Sequence, residues 1–279
     1  MFEFPESYSK FPLAIYFTYY NVGKTETCGL FKIGDDYYYS YWGGVIKTGK
    51  QYVSTTYCDL PAGEYEFGAD GKMLQGVVEK DGVKYYYVNG RTAASGLYKF
   101  ADDYYYVYWG GVVKDSGKYY VSTTYCDLPA GEYEFGADGK MLNGIVEKNG
   151  QMIYYVNGKT STSGLFNIDG DYYYVYWGGV IKTSGKYYVS TSYCDRPAGE
   201  YEFGADGKML DGFITKDDGR YFYTNGKGEF LGLVKIGDYF YFVNYGGKLI
   251  TDRVYYVWET NGLMIEKDYT FNELGQIIA

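Results

Sequence analysis

Acidic side chains form the pattern in this sequence that comes closest to catalysis. Three equivalent sets of two glutamates and one aspartate occur along the chain: Glu64, Glu66 and Asp70; Glu132, Glu134 and Asp138; and Glu200, Glu202 and Asp206. Two carboxyl groups hydrolyse a glycosidic bond when unlike surroundings separate their pKa values. Because these sets lie in nearly identical sequence, we predict no catalysis. The glutamates are predicted to form a solvated outer strand face, with hydrogen bonding to sugar hydroxyls as the alternative, and the aspartates to be turn residues.

Other reactive groups are few. The chain contains no histidine, which excludes the familiar catalytic triads, and it contains neither a G-x-S-x-G motif nor a phosphate-binding loop. No C-x-x-C pair occurs among the four cysteines, so we expect no zinc site, and we expect no cofactor. Cys58, Cys126 and Cys194 share one repeat position and are predicted to be small buried packing residues, with disulfides as the alternative; the fourth cysteine is Cys28.

Neighbouring aspartates precede each run of tyrosines. They are Asp35 and Asp36, Asp102 and Asp103, and Asp169 and Asp171. Calcium requires roughly six to eight converging oxygen atoms, which one such pair does not supply. These residues are therefore predicted to be solvated loop charges.

The net charge of −9 excludes further classes of partner. Nucleic-acid binding requires clustered Lys and Arg to neutralise phosphates, and no such cluster occurs. No stretch approaches the roughly 18 to 20 apolar residues that span a bilayer. We therefore predict neither a nucleic-acid partner nor membrane insertion.

An internal repeat dominates the chain. YCDLPAGEYEFGADGKML begins at Tyr57 and again at Tyr125, and a copy with Arg for Leu begins at Tyr193, so the period is 68 residues. The predicted organisation is an N-terminal partial repeat or edge over residues 1–28, three repeats, and a degenerate C-terminal capping repeat, all in one continuous array; the three repeats are 29–95, 96–163 and 164–231, and the capping repeat is 232–279.

The two ends of the array differ. A fourth, degenerate copy keeps only a few residues of the previous period, among them Tyr245, Gly246, Gly247, Tyr269, Phe271 and Gly275, so we interpret Arg253–Ala279 as a cap. At the start, YYNVGKTETCG from Tyr19 resembles YYVNGKTSTSG from Tyr154, so the array has begun before the first full period. We therefore expect a fragment of a longer protein that carries further domains.

Composition and turn signals predict an all-β fold. The chain contains 41 Tyr and 40 Gly, and each period divides into three Tyr-rich units. In the second period, three dipeptides follow aromatic runs and are predicted to be hairpin turns: Gly110-Gly111, Asp138-Gly139 and Asn157-Gly158. A lone hairpin is marginal in water. We therefore predict a β-hairpin solenoid of about 11 to 12 stacked Tyr-rich hairpins, three to each 68-residue period.

These units resemble the cell-wall-binding repeats of Gram-positive surface proteins. The resemblance rests on GKMLQG from Gly71, GVKYYYVNG from Gly82 and IDGDYYYVYWGG from Ile168, and it extends from Tyr19 to Ala279. The superfamily includes choline-binding modules, glucan-binding domains of glucosyltransferases and receptor-binding repeats of clostridial toxins. The resemblance implies a solenoid that turns about a third of a circle per hairpin, in which Trp42, Trp109 and Trp177 would form a ladder.

The aromatic residues are the candidate ligand contacts. Choline-binding hairpins nearly all carry Trp, the strongest ring for a cation cage, whereas here one hairpin in three does. Sugar is therefore favoured over choline, because Tyr and Trp offer flat apolar rings with polar tips. Alternation places Tyr105, Val107 and Trp109 on one strand face and Tyr104, Tyr106 and Tyr108 on the other. The predicted ligand-binding residues are Trp42, Trp109, Trp177, Tyr41, Tyr108, Tyr176, Tyr65, Tyr133 and Tyr201.

The sequence therefore predicts a non-catalytic module that binds cell-wall polysaccharide or glucan through repeated aromatic grooves, each weak and together multivalent. Its location would be secreted or attached to a bacterial cell wall. The alternative is a structural stalk or a protein-binding adhesin segment, in which all the aromatic residues belong to the core. Burial of the three tryptophans distinguishes the two hypotheses.

Overall fold

A computed structural model describes residues 20–21, 24–25, 29–54, 60–192, 194 and 196–278, which divide into two compact units, Met1–Met141 and Leu142–Ala279. In the first unit the strands are β1 Tyr20–Asn21, β2 Lys24–Thr25, β3 Gly29–Ile33, β4 Asp36–Tyr41, β5 Val45–Ile46, β6 Gly49–Val53, β7 Gly63–Phe67, β8 Gly76–Lys80, β9 Val83–Val88, β10 Arg91–Thr92, β11 Gly96–Phe100, β12 Asp103–Val107, β13 Gly117–Val121 and β14 Gly131–Phe135. In the second they are β15 Gly144–Lys148, β16 Gln151–Val156, β17 Lys159–Thr160, β18 Gly164–Ile168, β19 Asp171–Val175, β20 Gly185–Val189, β21 Gly199–Phe203, β22 Gly212–Lys216, β23 Gly219–Tyr223, β24 Gly232–Ile236, β25 Tyr239–Val243, β26 Arg253–Val257 and β27 Lys267–Phe271.

The prediction of an all-β chain of short antiparallel hairpins is confirmed. Each long strand pairs with its neighbour in sequence, and a third, two-residue strand is added to the pairs β3–β4, β8–β9 and β15–β16. The remaining regular segments are single 3₁₀ turns at Trp42–Gly44, Trp109–Gly111, Trp177–Gly179 and Tyr245–Gly247. In the described part of the chain, no helix is long and apolar enough to cross a membrane.

The main hairpin turns precede the tyrosine runs instead of following them. Phe100 pairs with Asp103, so β11 and β12 are joined at Ala101-Asp102, and Ala101 takes a left-handed φ of 54°. Of the three predicted turn dipeptides, only Asn157-Gly158 joins two paired strands, β16 and β17. Gly110-Gly111 lies in a 3₁₀ turn that also reverses the chain, because Val107 and Val113 form an antiparallel bridge across it. Each Tyr run pairs with the strand before it, and a short segment after the run pairs with its end, so the chain reverses on both sides of the run.

The core consists of small clusters, each shared between adjacent hairpins. Leu97, Val121, Tyr133, Phe135 and Met141 form one such cluster in the first unit. An equivalent cluster in the second unit contains Leu165, Val189, Tyr201, Phe203 and Met209. These residues alternate with polar neighbours along their strands, as expected for hairpins with one buried face.

Backbone hydrogen bonds also join hairpins that follow one another. In the first unit the amide of Met141 donates to the carbonyl of Tyr104 at 2.8 Å, and the amide of Val113 donates to Lys84 at 2.8 Å. In the second unit Met209 donates to Tyr172 at 2.8 Å. The segment after each hairpin thus binds the second strand of an earlier one, which positions the turns that carry the tryptophans.

Candidate functional site: the Tyr-Trp-Gly-Gly platforms

The tryptophans lie in three equivalent surface structures, which we call platforms. Each consists of Tyr, Trp, Gly and Gly in succession, with a Lys six residues after the Tyr; the three platforms are 41–44 with Lys47, 108–111 with Lys114, and 176–179 with Lys182. In the second platform the amide of Tyr108 donates to the carbonyl of Val112 at 2.7 Å, and Gly111 donates to Tyr108 at 3.1 Å. These bonds close a tight 3₁₀ turn at the end of the tyrosine strand.

The two glycines of a platform have different roles. Gly110 has a φ of 74°, and a Cβ atom there would meet nothing within 4 Å. Gly111 has a φ of 80°, and its Cβ would lie 2.6 Å from Cβ of Thr92. Both positions require a left-handed backbone that favours glycine. The first glycine leaves open space beside the indole, and the second packs closely against the preceding hairpin.

The turn carries the Trp side chain into solvent. Trp42, Trp109 and Trp177 are 68%, 74% and 73% exposed. The predicted face shared by Tyr105, Val107 and Trp109 is therefore corrected: Tyr105 and Val107 are buried, but β12 ends at Val107 and the 3₁₀ turn redirects Trp109. The ladder of three tryptophans remains a prediction.

Tyrosine and lysine complete each platform. Tyr41, Tyr108 and Tyr176 are exposed, and the rings of Tyr176 and Trp177 meet edge to face with centroids 6.5 Å apart. The Nζ atom of the platform lysine lies over the tyrosine ring at 5.1 Å in the first platform, 4.6 Å in the second and 4.4 Å in the third. These lysines were not among the predicted site residues, although their constant spacing after the Tyr-Trp pair could have identified them.

The other three predicted tyrosines lie inside the protein. Tyr65, Tyr133 and Tyr201 are at most 2% exposed. Their hydroxyls donate to the proline carbonyls four residues upstream at 2.5, 2.5 and 2.7 Å, which closes the long loop of each hairpin. A surface ligand cannot stack on these rings, so the proposed platform site does not include them.

The repeated glutamates are not all solvated, which corrects the prediction of an outer strand face. Glu66 lies between Lys80 and Tyr87: Lys80 donates to one carboxylate oxygen, Tyr87 donates to the other at 2.8 Å, and Lys80 also contacts the Tyr87 hydroxyl at 2.7 Å. Glu202 has the same arrangement in the second unit, with Tyr223 at 2.7 Å. By contrast, Glu64, Glu132 and Glu200 are exposed.

These ion pairs shift the pKa values of their members. Burial raises the pKa of Glu66, but the hydrogen bonds from Lys80 and Tyr87 and the charge of Lys80 together outweigh burial and hold that pKa below its ordinary value. The same causes, in the same order, lower the pKa of Glu202 beside Lys216 and Tyr223. Such a closed network fixes the carboxylate in one orientation.

The remaining predicted acidic residues support turns. As predicted, Asp70, Asp138 and Asp206 are turn residues, and each accepts a hydrogen bond from the amide two residues later. The second aspartate of each loop pair forms an ion pair with a turn lysine: Asp36 with Lys72, Asp103 with Lys140 and Asp171 with Lys208, at 2.6 to 2.7 Å. Within the described residues, no group of three or more His, Cys, Asp or Glu is placed to hold a metal ion.

The cysteines are not core residues. Cys126 and Cys194 are free thiols and exposed, which corrects the prediction of buried packing. Both have left-handed backbones, with φ of 46° and 47°, because they lie in the long hairpin loop and not on a strand. Cys28 and Cys58 lie outside the described residues.

No protein-family model matches the chain, and no curated protein matches it. Among solved structures, the chain is similar to choline-binding protein F of Streptococcus pneumoniae, with 20% identity over 95% of each chain and a TM-score of 0.36. It is also similar to the modular autolysin LytC of the same species, with 14% identity over 82% of this chain and 49% of that chain and a TM-score of 0.36. A complex of alternansucrase with isomaltononaose matches with 15% identity over 90% of this chain and 18% of that chain and a TM-score of 0.26.

Structural matches to choline-binding proteins and to an alternansucrase thus extend over most of the chain, as the resemblance predicted. At these identities and scores, the ligands and activities of those proteins are not transferred to this chain.

Proposed function

We propose that this chain is a non-catalytic module that binds polysaccharide at a bacterial cell surface through its exposed platforms. In this proposal the hairpins form one solenoid and present the platforms as a multivalent array. One observation carries the proposal: three equivalent tryptophans, each more than two thirds exposed, stand beside an open glycine. Exposed aromatic rings next to open space suit the apolar face of a pyranose ring.

The turn itself does not account for the tryptophan. Tyr245–Gly247 forms the same 3₁₀ turn, with left-handed glycines at φ of 73° and 78°, although Tyr stands in place of Trp. An indole is therefore not needed to build this backbone. The stalk hypothesis assigns the aromatic residues to the core, and the exposure of the three tryptophans counts against it.

The platform lysine favours a sugar over choline. In each platform the Lys Nζ already lies over the Tyr ring, 4.4 to 5.1 Å from its centre. A quaternary ammonium would have to approach this ammonium group or displace it, at a cost in Coulomb energy. A sugar hydroxyl, by contrast, accepts a hydrogen bond from the lysine while its ring rests on the indole.

The test is a fluorescence titration in a Trp258→Phe background, because Trp258 is the one tryptophan outside the platforms. The probes are dextran, purified Gram-positive wall polysaccharide, a panel of host glycans, and choline. We expect the Trp fluorescence to change saturably with one polysaccharide and not to change with choline. The triple variant Trp42→Ala, Trp109→Ala, Trp177→Ala should lose retention on that immobilised polysaccharide by more than about tenfold.

A control is Tyr239→Ala, which removes a ring that is 51% exposed at a hairpin turn and should leave retention unchanged. If the triple variant is retained as well as the control, the platforms do not bind the polysaccharide. If no probe changes the Trp fluorescence and the chain is not retained on any immobilised polysaccharide, the stalk hypothesis is favoured.

A further inference from the structure

A second surface, distinct from the platforms, recurs on the long-loop hairpins. In β6–β7, Lys50 pairs with Glu66 and Tyr52 pairs with Glu64, so these four side chains share one face while Tyr65 and Phe67 point into the core. The tyrosines at this position are strongly exposed, at 69%, 66% and 66% for Tyr52, Tyr120 and Tyr188. An exposed ring therefore stands directly beside acidic and basic groups.

A cleft opens next to this face in each unit. In the first unit it has a volume of about 190 Å³ and is lined by Lys50, Glu64, Glu66, Arg91 and neighbouring residues. In the second unit a cleft of about 190 Å³ is lined by the equivalent Lys186, Glu200, Glu202 and Lys227, together with Glu229. We call both the Lys–Glu cleft. Each is smaller than the roughly 300–1,000 Å³ pockets that enclose drug-sized ligands, so it suits a single small unit.

The two carboxylates that line the first cleft are each paired with a lysine. Lys50 Nζ lies 3.5 Å from Glu64, and Glu66 is neutralised by Lys80. The Arg91 guanidinium lies over the Tyr65 ring at 4.3 Å, and its Nε donates to the Glu64 carbonyl at 3.3 Å. A cationic ligand would compete with these lysines for the carboxylates, and an anionic ligand would meet two carboxylates in the same cleft. An uncharged hydroxyl can donate to Glu64 and accept from Lys50 or Arg91 without either cost.

Strand pairing alone does not account for this set of charges. In the last hairpin, β26–β27, Val254 pairs with Thr270 and Tyr256 pairs with Asp268 in the same register. Val254 and Thr270 replace the Lys and Glu of the earlier copies, yet the hairpin forms. The exposed Tyr persists there and Asp268 keeps the carboxylate of the Glu64 position, so neither Lys50 nor Glu66 is needed to form the hairpin itself.

We propose that each Lys–Glu cleft, with the exposed tyrosine beside it, binds one uncharged pyranose unit of a polysaccharide. The apolar ring face lies on Tyr52 or Tyr188, and the hydroxyl edge enters the cleft between the lysine and glutamate side chains. This inference rests on the proposed function, because the unit belongs to the same polysaccharide that the platforms bind. It adds a second class of subsite that selects hydroxyl-rich, uncharged sugars.

Saturation-transfer NMR on the full chain tests this inference with three methyl glycosides: glucose, N-acetylglucosamine and, as the charged comparison, glucuronic acid. The platform variant lacks the three tryptophans, and the cleft variant carries Tyr52→Ala, Tyr120→Ala and Tyr188→Ala. We expect the platform variant to keep transfer to an uncharged glycoside, the cleft variant to weaken it, and the combination to abolish it. On immobilised polysaccharide, the cleft variant should lose retention by about fivefold or more.

Two further variants separate a sugar contact from a structural effect. Tyr→Phe at the same three positions keeps the ring and should restore most of the transfer. Glu64→Gln with Glu200→Gln removes one charge from each described cleft and should weaken binding while circular dichroism stays unchanged.

Each outcome decides the inference. If the platform variant alone abolishes all transfer, or if the cleft variant binds like the unmodified chain, the clefts are solvated ion pairs and the inference fails while the proposed function stands. Preferential transfer to the glucuronide overturns the assignment to uncharged sugars. If the unmodified chain binds no glycoside and no polysaccharide, the proposed function fails and the inference with it.

Discussion

Two regions of the second unit, residues 164–231 and 232–279, share a backbone but present different side chains. The turns Trp177–Gly179 and Tyr245–Gly247 have closely matching glycine φ angles. In the first region, Trp177 stands exposed beside Tyr176 and Lys182. In the second, Tyr245 is 74% exposed as well, but its ring stacks on Phe230 at 4.8 Å, and Phe230 also stacks on Trp258 at 5.2 Å.

Charged positions of the first region become apolar or neutral in the second. Lys182 corresponds to Ile250, which is 2% exposed in a cluster with Leu233, Phe242 and Val257. Glu202, which carries an ion pair, corresponds to Thr270. The C-terminal region therefore packs the first of these positions into its own core and leaves the second without a charge.

This difference separates what the fold requires from what it permits. Both regions keep the paired glycines and the strand register, which are needed for the turn and the hairpin. Only the first region carries the exposed platform Trp, the platform lysine over its tyrosine and the partly buried ion pair of Glu202. The tryptophan and the platform lysine are dispensable for the backbone, and their presence in the earlier copies agrees with a role in binding, whereas the Glu202 ion pair joins one hairpin to the next.

The largest loss of stability is expected when the side chains at the equivalent positions 182 and 250 are exchanged, Lys for Ile and Ile for Lys. Ile250→Lys places an ammonium group in an apolar cluster and should destabilise the second unit by about 4 kcal/mol, because both apolar burial and hydration of the charge are lost. Lys182→Ile should change stability by only about 0.5 kcal/mol. Urea denaturation followed by circular dichroism measures both. If Ile250→Lys and Lys182→Ile have the same free energy of unfolding, the two regions do not differ in packing at the lysine position.

Substitution of the second glycine of each 3₁₀ turn by alanine should destabilise both regions, by nearly as much as Ile250→Lys. A Cβ on Gly179 would lie 2.8 Å from the carbonyl oxygen of Tyr154, and one on Gly247 would lie 2.6 Å from that of Phe222. Alanine at either position should cause a loss of about 3 kcal/mol from left-handed strain and overpacking together. Gly178→Ala, with open space before it, should lose only about 1 kcal/mol. Thermal melts of the three variants test this order.

The sequence predicted the class of fold because its signals are local. Alternating aromatic residues and Gly-containing turns specify hairpins through the geometry of neighbouring residues. How far a run pairs on each side is not local: β12 pairs over its whole length with β11 before it, whereas the turn at Gly110-Gly111 leads only to the bridge between Val107 and Val113. The turn at Ala101-Asp102 was not predicted, because alanine is an unusual residue for the left-handed φ that Ala101 adopts.

The candidate site could be predicted only in part. Trp109 and Tyr108 were identified by type, but Tyr133 has the same type and is buried, because exposure depends on where the strand ends. Hydrogen bonds between side chains of different hairpins could not be predicted from the sequence. Glu66 contacts Lys80 and Tyr87 only because two hairpins pack together. Repetition alone could not show which of the two glutamates of a strand would be paired.

The ion pair of Glu202 gives a smaller, pH-dependent effect that the C-terminal region lacks. Because the folded pKa of Glu202 lies below its ordinary value, its stabilisation is complete above about pH 5 and is lost as pH falls through the folded pKa. Glu202→Gln should lower stability by about 2 kcal/mol at pH 7 and flatten the acid limb. Glu200→Gln removes an exposed carboxylate of the same strand and is the control. Parallel acid limbs in Glu202→Gln and the unmodified chain would contradict this assignment.

The two tryptophans of the second unit should respond oppositely to truncation, with the smallest effect on stability. Trp258→Ala removes a ring that stacks on Phe230 with an interplanar angle of 9° and should destabilise the unit by about 1 kcal/mol, while retention on polysaccharide stays unchanged. Trp177→Ala removes a ring that is 73% exposed, so stability should stay within about 0.5 kcal/mol while retention falls. Denaturation and affinity chromatography on the same two proteins measure both quantities. If Trp177→Ala destabilises the unit as much as Trp258→Ala, the exposed indole supports the fold, and the contrast between a binding region and a packing region is lost.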